Sequence, residues 1–276
     1  NRALKYFKKN AVKAIFVNCF YSVMHQAIIY AAKTSNIKVL EIQHGIISKS
    51  RYYYNPTYKS TDLLLPDYLL AYNQYVSDHI NSHYIKSSKV LPFGNFYLNH
   101  KIRDENKPLN INMKNKYEKT ILISHQESVE KKLLNIINKL AINNQNICFL
   151  VSVRHNKSQQ QHLKSKGNLM FLNNEDIYDV ISICDLHISI YSTFILETLY
   201  AGLPNILLNI DKLSENYFSE ILAPSNNICY ANNINEIISL INDWQFDAKD
   251  VIQKKYNYLF KENQIEQMQT ILDIVK

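Results

Sequence analysis

The apolar positions of this chain fall into short blocks separated by stretches of helical spacing, and the alternation starts early. Ala14 to Cys19 reads as a strand, Tyr21 to Lys33 as a helix and Lys38 to Ile42 as a second strand. Strand, helix and strand in that order predict parallel pairing, because parallel neighbours need a crossover between them. The second strand runs into Gln43-His44-Gly45, and a tyrosine-rich loop follows with Tyr52, Tyr53, Tyr54 and Tyr58. An apolar run from Asp67 to Tyr72, a helix from Gln74 to Tyr84 and the segment Val90 to Asn95 complete this series. Asn99 to Lys116 is polar, holds Pro108 with several Asn and Lys, and reads as an interdomain linker.

A second series follows. Thr120 to Ser124 reads as a strand, Glu127 to Asn143 as a helix, and Ile147 to Val153 as a strand ending at Arg154-His155-Asn156. Leu169 to Leu172, a helix from Asp176 to Ile183, a strand from His187 to Ile190 and the run Asn205 to Asn209 come next, and a last helix spans Ala248 to Val275. The pattern predicts an α/β protein with two Rossmann-like parallel-sheet domains, residues 1–110 and 111–276, without internal repeats.

Leu186 to Pro204 is the most informative stretch: a buried strand, the hydroxyl-rich turn Tyr191-Ser192-Thr193, and a helix stopped at Gly202-Leu203-Pro204. A turn that opens a helix presents free backbone N–H groups and the positive end of the helix dipole, a setting that suits phosphate. Ser192 and Thr193 are thus candidates to hold an anion, and Glu197, one turn further on, is a candidate partner for a ribose. The same hydroxyls also serve as ordinary helix caps, and Glu197 as an ordinary surface residue.

Ligands of open parallel sheets bind at the carboxyl ends of strands, which brings three more places into consideration. They are Gln43-His44-Gly45, Ser124-His125-Gln126 and Arg154-His155-Asn156. His44 is the one motif-borne base of the first series, with an intrinsic pKa suited to proton transfer, and Gly45 completes its turn. The alternative for His44 is a packed residue under the following loop. Ser124-His125-Gln126 with Glu127 can equally begin a helix.

A formal charge of +7 over 276 residues favours phosphorylated ligands or anionic lipid headgroups. Nucleic acid is not expected, since there is no basic recognition helix, zinc-finger spacing or aromatic-basic sheet signature. Cys19, Cys148, Cys184 and Cys229 are far apart and sit in or beside apolar runs, as reduced core thiols do. No apolar run approaches the ~20 residues that cross a bilayer, so the expected location is the cytoplasm, with peripheral contact at the inner face of the membrane. The first residue is not Met and the first strand begins only near Lys13, so the N-terminal domain is expected to be incomplete.

These motifs resemble the GT-B glycosyltransferases of bacterial surface polymers, the capsule, Kdo, sialic-acid and CDP-glycerol transferases, over nearly the whole chain. Gln43-His44-Gly45 matches their Gln-His-Gly turn, Arg154-His155 their Arg-x-His-Pro or His-Pro element, and Ser192-Thr193 their Ser-Ser/Thr turn. Glu197 falls where a GT-B glutamate meets ribose. The match departs at Asn156, which replaces the proline, and at Arg154, which directly precedes the histidine. The resemblance implies an inverting transfer from a nucleotide sugar, such as a CMP-activated ulosonic acid, to a glycan or glycolipid acceptor. Ser124, His125, Gln126, Arg154, His155, Ser192, Thr193 and Glu197 would hold the donor and His44 would act on the acceptor side. The resemblance implies no metal or other cofactor, and the chain has no Asp-x-Asp motif. A UDP-GlcNAc 2-epimerase type of enzyme and a non-catalytic nucleotide-binding module are the rival readings.

Overall fold

The computed structural model describes residues 2–48, 52–103, 116–153, 163–172, 175–262 and 264–276. The chain divides into two compact units, one made of Asn1–Phe96 with Tyr258–Lys276 and the other of Tyr97–Asn257.

The first unit carries a sheet of four parallel strands, β1 (Ala14–Val17), β2 (Lys38–Ile42), β3 (Tyr68–Ala71) and β4 (Val90–Pro92), in the order β1-β2-β3-β4. The helix Val23–Thr34 crosses from β1 to β2, and Ser22 caps it by accepting from the His25 backbone N–H. One face of the sheet buries Val17, Val39, Leu69 and Ala71 against Ile29 and Ala32 of that helix. On the other face Leu40 and Leu70 meet Ile271 and Val275 from the last helix, Gln264–Val275.

That last helix corrects two expectations. In place of one continuous helix from Ala248, the chain forms Lys249–Tyr256, a 3₁₀ turn at Asn257–Leu259, and then Gln264–Val275. The boundary drawn at 1–110 and 111–276 also leaves out this return, since Tyr258–Lys276 packs with the first unit. Two more elements differ from the reading above. The helix from Gln74 stops at His79, because Asn81 turns the chain by accepting from the His83 backbone N–H, and Tyr84 is thereby released into the core. Part of the supposed linker is the helix Phe96–Arg103.

The second unit carries six strands, all parallel: β5 (Lys119–Ser124), β6 (Ile147–Ser152), β7 (Leu169–Leu172), β8 (Leu186–Ser189), β9 (Asn205–Leu208) and β10 (Ile228–Ala231). Their order is β10-β9-β8-β5-β6-β7. The sheet is buried on both faces, by Glu130–Asn143 and Ile234–Asp243 on one side and by Ile177–Ile181 and Phe194–Tyr200 on the other, so its strands read as nearly continuous apolar runs. Phe194–Tyr200 ends at Gly202, where φ is +88° and a Cβ would stand 2.6 Å from the Lys249 carbonyl oxygen. Only glycine lets the chain turn there with the helix Lys249–Tyr256 so close.

Candidate functional site

The second sheet places the expected ligand site by its topology. The chain lays down β5, β6 and β7 in one direction and then returns to put β8 on the other side of β5. Crossovers from β5 and β8 thus leave in opposite directions, and open parallel sheets bind their ligands beyond the carboxyl ends of such a strand pair. Ser124-His125-Gln126 follows β5 and Tyr191-Ser192-Thr193 follows β8, so the strand pairing brings these two segments side by side. Ser128 and Tyr191 link the two loops by a hydroxyl–hydroxyl bond.

Beneath that point lies a buried polar group of side chains. His187, fully buried on β8, has Nε2 2.8 Å from the Ser124 hydroxyl and Nδ1 2.6 Å from Asn205 Oδ1. Thr198 Oγ1 stands 3.1 Å from Nδ1 and 3.0 Å from Asn205 Oδ1. An amide oxygen only accepts, so Nδ1 carries a proton that it donates to Asn205, while Nε2 faces the Ser124 hydroxyl. Strand β5, strand β9 and the helix that begins at Phe194 are pinned to one imidazole. His187 escaped the sequence reading because a lone histidine inside a strand carries no motif.

The other expected residues of this unit divide as follows. Ser192 is buried and its hydroxyl accepts from the Phe194 backbone N–H, so it is part of the turn itself. Thr193 is half-buried, and its side chain makes no capping bond. Glu197 lies one turn into the helix, with Oε2 accepting from Tyr178 at 2.7 Å. His125 is buried with Nε2 3.0 Å from Glu130 Oε2, off the line a hydrogen bond needs. Arg154 and His155 lie outside the described residues. Among the described residues no group of three or more His, Cys, Asp or Glu is placed to hold a metal ion.

In the first unit the chemistry gathers beyond β1 and β2. His44 is exposed, its Nε2 3.3 Å from the Tyr21 hydroxyl. Partial burial and the neighbouring charge of His25 lower the pKa of His44 from the ordinary 6.5, so its ring is neutral at pH 7. Burial, with Cys19 and Glu41 adding to it, pushes the Tyr21 hydroxyl up to about 12, which keeps it a donor. The turn that presents His44 is braced by Gln43, whose Nε2 donates to the Gly45 carbonyl and whose Oε1 accepts from the Tyr72 backbone N–H. Gly45 has no strained φ, and no atom lies within 4 Å of where its Cβ would be, so the turn does not require glycine and open space adjoins His44. Tyr53 stacks on Tyr21 with ring centroids 4.1 Å apart, and the exposed Tyr52 leans on Tyr53.

No protein-family model and no curated protein sequence matches the chain. Solved structures do. A UDP complex of MnaA from S. aureus shares 14% identity at a TM-score of 0.67, covering 99% of this chain and 78% of its own. UDP-GlcNAc 2-epimerase from Neisseria meningitidis, bound to UDP-GlcNAc, shares 19% identity at 0.60, covering 98% and 78%. The glycotransferase of kitacinnamycin shares 10% identity at 0.61, covering 99% and 80%. At these identities the likeness establishes the fold. The chain has the GT-B-like, two-Rossmann-domain α/β fold.

Proposed function

We propose that this chain acts on a nucleotide sugar, held by the second unit, and transfers its sugar with inversion to a glycan or glycolipid acceptor of the bacterial surface. One observation carries the reading: Ser124-His125-Gln126 and Tyr191-Ser192-Thr193 share the carboxyl end of the strand pair at which the second sheet reverses direction. In such a site Thr193, the backbone N–H groups of the turn and Gln126 would meet the phosphates, and Glu197, oriented by Tyr178, would meet the ribose. Charge builds on the phosphate as the glycosidic bond breaks, and donors fixed in place stabilise it without reorganising. His155 and Arg154 belong to this proposal from the sequence. On the acceptor side, neutral His44 would take the proton of the attacking hydroxyl, with Tyr21 setting its ring.

The nucleotide complexes among the structural neighbours include uridine ligands, in MnaA and the Neisseria epimerase, and CDPG in the wall teichoic acid polymerase TagF, so they support a nucleotide-sugar ligand with either base. Their epimerases also support a second reading, acceptor-independent interconversion of UDP-sugars. Contact with an anionic membrane surface is part of the transferase reading. The helix Arg2–Lys9 carries Arg2, Lys5, Lys8 and Lys9 with no acid and buries none of its residues. Among the described residues no helix is long and apolar enough to cross a membrane.

Thermal shift against UDP, CDP, CMP and GDP tests the binding step, because a ligand that binds only the native state raises its stability. Stabilisation by at least one of these nucleotides is expected, and indifference to all four would refute the proposal. Incubation with the matching nucleotide sugar, with and without acceptor glycan, then separates transfer from interconversion. Binding without turnover in either assay would leave a nucleotide-binding module.

A further inference from the structure

Glu41 is the one fully buried carboxylate among the described core residues. It sits on β2 between Leu40 and Ile42, three residues before His44. Its Oε1 accepts from the Tyr54 hydroxyl at 3.0 Å, its Oε2 accepts from the Tyr84 hydroxyl, and the Phe20 backbone N–H also serves it. The rings of Phe20, Tyr54 and Tyr84 enclose it, with Phe20 stacked on Tyr84 at 4.6 Å and Tyr54 set edge-on to both. Three separate segments therefore converge on this carboxyl: the loop after β1, the tyrosine loop, and the segment after the helix Gln74–His79.

The contacts continue outward. Tyr54 follows Tyr53, Tyr53 stacks on Tyr21, and the Tyr21 hydroxyl meets His44. Tyr21 also packs edge-on to Tyr54, with centroids 6.1 Å apart. We propose that Glu41 is a positioning residue for His44: through Tyr54 and Tyr21 its carboxyl fixes where the imidazole sits and which of its nitrogens faces the Tyr21 hydroxyl. The proposal rests on the assignment of His44 to the site, but the coupling itself is independent of turnover.

The state of the carboxyl matters to this arrangement. Burial raises its pKa and the tyrosine hydroxyls lower it, and burial wins, leaving the group at about 7. The titratable groups around it are Tyr54, Tyr84 and Tyr21, with Cys19 acting on all three. Burial and the neighbouring carboxylate hold all three tyrosines above their ordinary pKa, so they stay protonated when Glu41 titrates. An ionised Glu41 accepts from both Tyr54 and Tyr84. A protonated one carries an O–H that needs an acceptor of its own, and this changes the geometry of the bonds from the two tyrosines.

The test is an NMR titration of histidine ring carbons in the whole chain, with the His44 signal assigned by its loss in His44→Gln. In the wild type the His44 signal should show its own transition below pH 6.5 and a second inflection near pH 7 inherited from Glu41. In Glu41→Gln, which keeps the volume but cannot titrate, the second inflection should vanish and the limiting shift should move. Should Glu41→Gln not fold, Tyr54→Phe cuts the same link while keeping the ring, and it should also remove the inflection. Superimposable His44 curves in the wild type and in a folded variant would overturn the proposal. A changed His44 curve with no nucleotide-sugar chemistry would uphold the coupling and refute only the transferase reading.

Discussion

Ser124 on β5 and His187 on β8 are joined by a 2.8 Å hydrogen bond directly beneath the point where the second sheet reverses its strand order. The bond ties the loop that follows β5 to the strand that feeds the hydroxyl turn. Replacing His187 by Phe would keep the bulk and leave Ser124, Asn205 and Thr198 facing an apolar ring. Each buried polar group left unsatisfied costs about 1–3 kcal/mol. His187→Phe should lower the urea midpoint markedly with little change in slope, and an unaltered midpoint would show that the network contributes nothing net.

Ser192 and Thr193 should separate in their effects. Thr193 makes no capping bond, so Thr193→Ala should weaken nucleotide binding while the melting temperature of the free protein holds. Ser192 is buried and bonded to the Phe194 N–H, so Ser192→Ala should also lower stability by about 1 kcal/mol, as loss of a cap does. Calorimetric titration with nucleotide beside thermal melts of the free variants reads both quantities. Normal binding in Thr193→Ala would remove that hydroxyl from the site.

Glu41 makes a prediction about stability and pH that needs no assay of function. Its folded pKa, about 7, lies above the ordinary 4.5, so between those values the folded state binds the proton more tightly than the unfolded one. Stability from this group is therefore full below pH 4.5 and falls as pH rises through 7, by about 3 kcal/mol at 1.36 kcal/mol per unit. Subtracting the Glu41→Gln stability curve from the wild-type curve, measured by denaturant unfolding from pH 4 to 8.5, should leave this slope. A flat difference would mean that water or a cation compensates the charge.

His44 carries the opposite signature. Its lowered pKa makes the neutral base form dominant at pH 7. Any turnover in which it takes a proton should have an acid limb with a midpoint below pH 6.5, and a midpoint above 6.5 would point to another base.

Gly202 tests backbone rather than chemistry. With φ at +88° and the Lys249 carbonyl oxygen 2.6 Å from the position of a Cβ, Gly202→Ala should cost about 1–3 kcal/mol in denaturant unfolding. A loss below 0.5 kcal/mol would mean that the helix Lys249–Tyr256 shifts freely.

Much of this was legible in the chain. The strand, hydroxyl turn and Gly-Leu-Pro stop of Leu186–Pro204 announced themselves because turn chemistry and apolar runs are local signals. β10 was missed, since Ile228-Cys229-Tyr230-Ala231 is only four residues long and is flanked by asparagines that read as loop. The helix after it had a usable signal: Asn233 caps the Glu236 N–H, and the Glu236 side chain reaches back. Glu41 was illegible for a different reason. An acid in the middle of Lys-Val-Leu-Glu-Ile reads as the solvent-facing position of a strand, and the hydroxyls that satisfy it are supplied by Tyr54 and Tyr84, 13 and 43 residues away.

The return of Tyr258–Lys276 to the first unit makes the second unit an insertion, flanked by the two chain segments of one folding partner. Residues 97–257 could thus be cut out as a single piece. Residues 1–96 alone would expose Leu40 and Leu70, which Ile271 and Val275 cover, and would lose the Asn73 bond to the Leu259 carbonyl. On a ribosome the first unit would wait for the second to be synthesised before it could close its own core.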